Sequence, residues 1–455
     1  MASKNAAYIF DRTISRRNLA LIFAERASKS HARGRDGVTT NAVRNNLGEV
    51  VADLNRKLAS GDLQFTQYRE FLQSKGAGKP PRVISVPTVR DRIALRAMAE
   101  FLSNLFPDVR NSIPQVKIDK VYKALKTGEY DTFIKLDIKD FYPSISHTQV
   151  VENLRKKIRR TSILRLFLCA IRTPTVPDRA PRRSPAKRGV PQGLAISNLL
   201  AELVVQSVDR KVESVRPCEY VRYVDDVLIL CRREDAKALL DEAKAAFSNV
   251  ELEAHDIGPT GKGKSSHGLI RAGFQYLGYW FKDDKVTVRA ESVHRIESSL
   301  ARAFTRYKKR RDSDFHSHEL ARCQWRVNLA ITGCIYKGQA RGWLHYFRQM
   351  NDLELIKSLD MSLDRFAKRF NMPSSFRSKS FMKTYWEIRR GRSSSTYSSY
   401  IPNYDRMSTD EKRSFLMSIG TIVPNVFEDS EVDRLFDKVI GRQIDELEVD
   451  VGEVY

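Results

Sequence analysis

Three short β-prone runs, residues 132–138, 220–230 and 274–281, stand far apart in the chain, with helix-patterned segments between them at 148–171, 194–215 and 235–246. Strands separated by helices in this way argue for a mixed α/β layer structure. Ahead of them, residues 13–72 read as helices. Residues 41–58 carry Val43, Leu47, Val50, Val51, Leu54 and Leu58 at nearly a 3.6-residue period, with Thr39 or Thr40 as the cap. Residues 75–92 change character. Gly76, Gly78, Pro80, Pro81 and Pro87 punctuate a β-prone stretch at 82–86, which predicts a loop and hairpin flanked by helices. From Ser292 onward the pattern is helical, apart from a loop rich in Ser and Tyr at 393–402.

Charge narrows the partner. Lys and Arg number 79 against 55 Asp and Glu, a net +24 on 455 residues, enough chain for about two to four domains. A folded surface that basic points to a polyanion, nucleic acid first and anionic membrane second. The surplus is uneven. Residues 150–190 hold twelve Lys or Arg, among them Arg155, Lys156, Lys157, Arg159, Arg160, Arg182 and Arg183, against Glu152 and Asp178. Further basic runs are Lys308, Lys309, Arg310 and Arg311, and then Arg389, Arg390 and Arg392; from Glu428 the sign reverses. No stretch approaches the roughly 18 apolar residues of a membrane helix, and residues 1–11 lack a signal peptide's apolar core, so a soluble cytoplasmic protein is expected. The five cysteines never occur as CxxC, which suggests neither a disulfide framework nor a zinc ribbon.

Three acids sit where charge is expensive. Asp137 interrupts the apolar run at 133–138, and Asp225 and Asp226 occupy the turn of a hairpin flanked by Val224, Val227, Leu228 and Ile229. Packed like charges repel, and an unpaired buried carboxylate costs several kcal/mol, so a cation must compensate. Two Mg²⁺ ions about 3.5–4 Å apart, with Mn²⁺ as a substitute, would use such carboxylates to activate a 3′-hydroxyl and stabilise a leaving pyrophosphate. A polar β-turn explains the Asp-Asp pair equally well on its own, because Asp is a favoured turn residue.

The surrounding residues separate these readings. Lys135-Leu-Asp-Ile-Lys-Asp-Phe-Tyr-Pro-Ser-Ile145, Arg188-Gly-Val-Pro-Gln-Gly-Leu-Ala-Ile-Ser-Asn198 and Tyr223-Val-Asp-Asp226 resemble, in order and spacing, the palm motifs of bacterial reverse transcriptases related to group II intron and retron enzymes. Asp36-Gly-Val-Thr39 and residues 79–92 are similar to that family's N-terminal extension and fingers, and Phe274-Gln-Tyr-Leu-Gly-Tyr279 to the strand closing its palm. The resemblance spans about residues 30–350. It implies a right-hand polymerase fold of α/β (α+β) class: a helical extension at 1–60, fingers and palm at 61–285, a helical thumb at 286–350 and a helical C-terminal extension with an acidic tail at 351–455. It implies an RNA-directed DNA polymerase with Asp137, Asp225 and Asp226 as metal ligands and the Ile138 carbonyl as a further oxygen. Tyr142 would be the steric gate against a ribose 2′-hydroxyl. Gln192 would line the nucleotide site, and Arg82 and Lys79 would contact the triphosphate, with Lys264 protonating the pyrophosphate. RNA template, DNA product and dNTPs would be the partners, gripped by Arg155, Lys156, Arg182, Arg183 and Lys308 to Arg311.

Gly258-Pro-Thr-Gly-Lys-Gly-Lys-Ser265 satisfies the P-loop pattern, yet the next residues contain two glycines and no amphipathic run to supply the helix N-terminus that a P-loop needs. Residues 331–338 and 342–347 resemble thumb helices. Trp343 reads best as thumb core, with Lys and Arg alone touching phosphate. Residues 350–455 contain no cysteine for a Cys/His-rich endonuclease, and no Asn-Ala-x-x-His element of the retron type occurs. The chain therefore looks most like the defence-associated reverse transcriptases, which copy a dedicated non-coding RNA in antiphage defence. A retron-type or intron-derived enzyme or maturase, and a catalytically idle RNA-binding scaffold, remain the alternatives.

Overall fold

The structure is a computed structural model that describes residues 6–29, 32–74, 78, 80–109, 113–258, 263–311, 316–391, 399–422 and 427–451. Lys79, Arg392 and most of the Ser/Tyr-rich loop therefore lie outside the described residues. The chain divides into two compact units, residues 1–269 and 270–455.

A four-stranded antiparallel sheet centres the first unit. Its order is Glu219–Tyr223, Asp226–Cys231, Thr132–Asp137, Ser266–Leu269. Phe133, Ile134 and Leu136 and the whole of Val227 to Cys231 are buried, so these inner strands read as continuous apolar runs. The helix Ser197–Val215 packs against the strand Glu219–Tyr223 and buries Leu200, Val204, Val208 and Val212, one side of the helix at four-residue spacing. A second sheet joins the hairpin Tyr68–Gln73 and Arg82–Val86 to the short parallel strand Thr175–Val176. The helix Val89–Leu105 follows, opened by Thr88, whose hydroxyl accepts from the Asp91 N–H.

Several elements differ from expectation for identifiable reasons. The helix at 41–58 breaks at Asn46 into Thr40–Asn45 and Leu47–Ser60, with Thr39 capping the first piece. Asn45 and Asn46 are weak helix formers that compete for backbone hydrogen bonds. The helix at 148–171 splits into His147–Arg155 and Thr161–Arg172. Cations between the pieces bind other helix ends: Lys157 donates to the Leu105 carbonyl and Arg160 to the Ala59 carbonyl. Part of that basic run is thus structural. Beyond the helix that follows the hairpin of Asp225 and Asp226, Ala254 makes an isolated bridge to Ile138.

In the second unit, residues 274–281 are not one palm strand. They form a hairpin, Phe274–Tyr276 and Tyr279–Lys282, that turns through Leu277 and Gly278 at positive φ and is extended by Lys285–Val288. The edge strand of the four-stranded sheet is instead Ser266–Leu269. Residues 331–338, expected to be helical, leave the helix His316–Thr332 and enter a second hairpin, Cys334–Tyr336 and Gln339–Arg341. Its two turn residues, Lys337 and Gly338, both have positive φ, as a tight hairpin turn requires, and Asp405 accepts both of their N–H groups. Trp343 is core, as expected, with its indole N–H on the Ser292 carbonyl. The acidic C-terminal stretch is not a loose tail. The helix Asp429–Val451 buries Val432, Phe436, Ile440, Ile444 and Leu447.

Candidate active site

Sheet register brings the acids together. Asp137, the last residue of its strand, sits opposite Asp226, the first residue of the next, and Asp226 also pairs with Tyr223 across the hairpin. The turn is therefore Val224 and Asp225 alone; Asp226 is in the strand and not in the turn as its neighbours suggested. Val224 has φ +56, a left-handed conformation that a β-branched residue adopts only under constraint. Two hydrogen bonds hold it there. The Arg222 guanidinium donates to the Val224 carbonyl at 3.0 Å, and the Ile138 N–H donates to the Asp225 carbonyl at 3.2 Å. Burial, reinforced by the charges of Asp226 and Asp137, pushes the Asp225 carboxyl up to about 6.

Two of the nucleotide-site candidates, Tyr142 and Arg82, lie near this turn. Tyr142 is partly buried with its hydroxyl 3.2 Å from Asn198 Oδ1, and burial together with Glu202 and Asp225 raises its pKa well above the ordinary phenol value. The positive charge of Arg82 acts on both Asp225 and Tyr142, so this strand residue faces the turn. The Pro-Gln-Gly loop is clasped on two sides. The Gln192 carbonyl accepts from the Ser85 N–H, while the Gly189 and Val190 N–H groups reach the Ile145 and Tyr142 carbonyls. Gly193, at φ +98, lies so close to Ile84 that a Cβ would come within 2.8 Å of its methyl carbon. Only glycine lets the loop approach the hairpin strand that carries Arg82.

Lys264 lies 3.7 Å from Asp137 Oδ2 and 3.0 Å from His255 Nε2, and His255 is itself 3.4 Å from Asp137. Ser265 to Leu269 run straight into a strand, so no helix opens behind the P-loop-like sequence, whose residues 259–262 lie outside the described ones. Lys135 approaches Asp226 at 3.7 Å. As these side chains lie, no group of three or more His, Cys, Asp or Glu among the described residues is gathered tightly enough to hold an ion. The donors nevertheless fit a hard divalent cation. Carboxylate and carbonyl oxygens are the atoms Mg²⁺ takes, and the crowding that raises Asp225 is relieved by positive charge.

Sequence reasoning missed Arg222. Only 5% exposed, it forks onto Glu202 at 2.9 and 2.6 Å and onto Asp209 at 2.8 and 2.7 Å, while Tyr220 also donates to Asp209. Its signal was a cation inside the buried strand Glu219–Tyr223, with two acids seven residues apart on the preceding helix. His255 was missed as well, because a loop crossing brings it to Asp137. The other predicted contacts lie elsewhere. Lys156 bonds to Asn153, Arg155, Arg182 and Arg183 are exposed, and Lys308, Lys309 and Arg310 end the helix Ala290–Arg310 of the second unit, with Arg311 just beyond it.

Comparison with known proteins gives this geometry a class. Residues 74–281 match the family model described as reverse transcriptase (RNA-dependent DNA polymerase). That segment, a little under half of the chain, is thus similar to reverse transcriptase domains, and it contains Asp137, Asp225 and Asp226. Its relatives are distant. Protein YkfC of Escherichia coli is 25% identical over 195 residues, covering 40% of this chain and 50% of that protein. The putative COX1/OXI3 intron 1 protein of Saccharomyces cerevisiae is 26% identical over 171 residues, covering 35% and 20%. The chain thus spans half the length of the first relative and a fifth of the second. Among solved structures, telomerase of Candida albicans in complex with a TWJ fragment of telomeric RNA aligns at a TM-score of 0.43 and 13% identity, covering 91% of this chain and 68% of that one. Apo telomerase of Candida tropicalis aligns at 0.36 and 15%, covering 50% and 55%. No helix among the described residues is long and apolar enough to cross a membrane.

Proposed function

We propose that this protein is an RNA-directed DNA polymerase that adds deoxynucleotides to a primer 3′-hydroxyl. The observation that carries the reading is the register of Asp137 against Asp226, with Asp225 in the adjoining two-residue turn and its carboxyl pushed up to about 6. Asp137, Asp225, Asp226 and the Ile138 carbonyl would hold two Mg²⁺ ions, or Mn²⁺ in their stead. When bound, the metals supply activation of the 3′-hydroxyl and charge stabilisation at the leaving pyrophosphate. The chain's own groups do the rest. Arg82 orients the triphosphate through guanidinium hydrogen bonds, joined by Lys79. Gln192 lines the nucleotide, and the Tyr142 ring excludes a 2′-hydroxyl. Lys264 stands beside Asp137 as a proton donor to the pyrophosphate.

Primer extension on an RNA template with Mg²⁺ and dNTPs tests the reading: equal incorporation by wild type and Asp225→Asn would overturn it in favour of an idle RNA-binding scaffold. We also propose that the template is a dedicated non-coding RNA copied in antiphage defence, a view resting on the sequence resemblance. Sequencing the RNA and DNA that copurify with the protein tests it, and a self-spliced intron there would favour the maturase alternative.

A further inference from the structure

The matched polymerase segment ends at residue 281, and a strongly basic stretch lies well beyond it. Residues 365–392 hold nine Lys or Arg and one acid, Glu387. Within them, the helix Phe381–Arg390 is anchored by one face. Phe381, Thr384, Tyr385 and Ile388 are buried, and Asp360 accepts from the Phe381 and Met382 N–H groups at its start. The opposite face exposes Lys383, Trp386, Arg389 and Arg390, positions three and four residues apart that form one stripe.

Trp386 is the unusual member. Of the four tryptophans, Trp343 is buried and Trp280 and Trp325 are half-buried, whereas Trp386 is 41% exposed. Its ring meets the buried Tyr385 edge-on at 5.2 Å and leaves the rest of the indole open to solvent beside three cations. It offers a flat apolar face within a positive field, the pairing that stacks bases and holds phosphates at the same time. The stripe continues past the helix start. Lys383 and Lys379 place their ammonium groups 4.4 and 5.0 Å from the centre of the Tyr400 ring. Arg389 is held at 4.9 Å over the Tyr385 ring. Lys383 to Arg390 spans about 10 Å along the axis, enough for a short run of bases.

We infer that this stripe, Lys379, Lys383, Trp386, Arg389 and Arg390 with Tyr400, is a single-stranded RNA-binding surface, separate from the catalytic turn. It grips RNA by stacking on Trp386 and by neutralising phosphates, without reading sequence. The inference stands whether or not Asp225 is catalytic.

The test uses the full-length protein and a labelled oligouridylate. Wild type should bind with quenching of tryptophan emission. Trp386→Ala should lose part of that quench and weaken binding by roughly tenfold, while Trp386→Phe retains most of the affinity. Lys383→Ala with Arg390→Ala should flatten the salt dependence by about 0.7 log units per lost phosphate contact, or about 1.4 in all. All variants should keep the wild-type melting temperature, since the altered side chains are exposed. Unchanged affinity and quench in Trp386→Ala would overturn the proposal, as would an unchanged salt slope in the double variant. Asp225→Asn should bind and quench as wild type, so failure of the catalytic reading leaves this result legible by itself.

Discussion

Two acidic clusters meet at one hairpin, and the chain treats them in opposite ways. Beneath the strand Glu219–Tyr223, Glu202 and Asp209 are answered in full by Arg222, whose forked hydrogen bonds use both oxygens of each. At the end of the hairpin, His255 and Lys264 stand 3.4 and 3.7 Å from Asp137 and Lys135 stands 3.7 Å from Asp226, while burial and its acidic neighbours hold Asp225 as an unfavourable anion. Identical chemistry serves two ends. The first set is tied by short forked hydrogen bonds and fixes geometry; in the second, burial and like charge raise Asp225, and a bound cation would relieve it. The former holds the Val224 carbonyl through Arg222 and so keeps the strained turn that carries Asp225 in place.

The contrast can be broken most sharply at the acids. Asp225→Asn should lower nucleotide incorporation by on the order of 10²–10³-fold in a primer-extension assay. Next, Arg222→Ala should destabilise the protein by about 3–5 kcal/mol in urea unfolding, because it strands the buried Glu202 carboxylate together with the half-buried Asp209. A triple change, Arg222→Met with Glu202→Leu and Asp209→Leu, should recover most of that stability yet leave incorporation low, since the hydrogen bond to the Val224 carbonyl is gone. Third, Tyr142→Ala should reduce discrimination against ribonucleotides by roughly tenfold or more in competition assays, and unchanged discrimination would remove it as the gate.

The smallest effect has the opposite sign. Asp225→Asn should stabilise the metal-free protein by about 1–3 kcal/mol, the value of removing an anion whose carboxyl is raised from 3.8 to about 6. In the wild type that relief comes by protonation. It is complete below the unfolded value of 3.8 and is lost as the pH rises through about 6, so the stability difference between variant and wild type should shrink as the pH is lowered across that window. Saturating Mg²⁺ should erase it at neutral pH.

The acid cluster was legible in the sequence because strand pairing needs local apolar runs, and charged residues inside such runs are conspicuous. Their partners were not. Arg222 meets Glu202 and Asp209 only after a helix folds back on its strand, and His255 reaches Asp137 across a connection of more than a hundred residues. The hairpin at Cys334–Tyr336 was hidden for a different reason: each strand has three residues, too few for an alternation to register, and both neighbours are helices. The basic runs were legible as charge but not as function. Lys157 and Arg160 close helix ends, whereas Lys383 and Arg390 face solvent, a distinction set wholly by packing.

The two-residue turn at Val224 and Asp225 also bears on how such a chain can change over time. Because Tyr223 already pairs with Asp226, the separation of the neighbouring carboxylates is set by peptide geometry and cannot be adjusted gradually. One inserted or deleted residue would send every side chain of Asp226–Cys231 to the opposite side of the sheet, forcing both buried faces to repack and turning Asp226 away from Asp137. The same constraint holds for the two-residue turns at Leu277-Gly278 and Lys337-Gly338, which carry no candidate catalytic acid. At Val224 and Asp225 only substitution is open to selection, so variation at this point should be confined to residue identity, with Val224 the position that tolerates exchange.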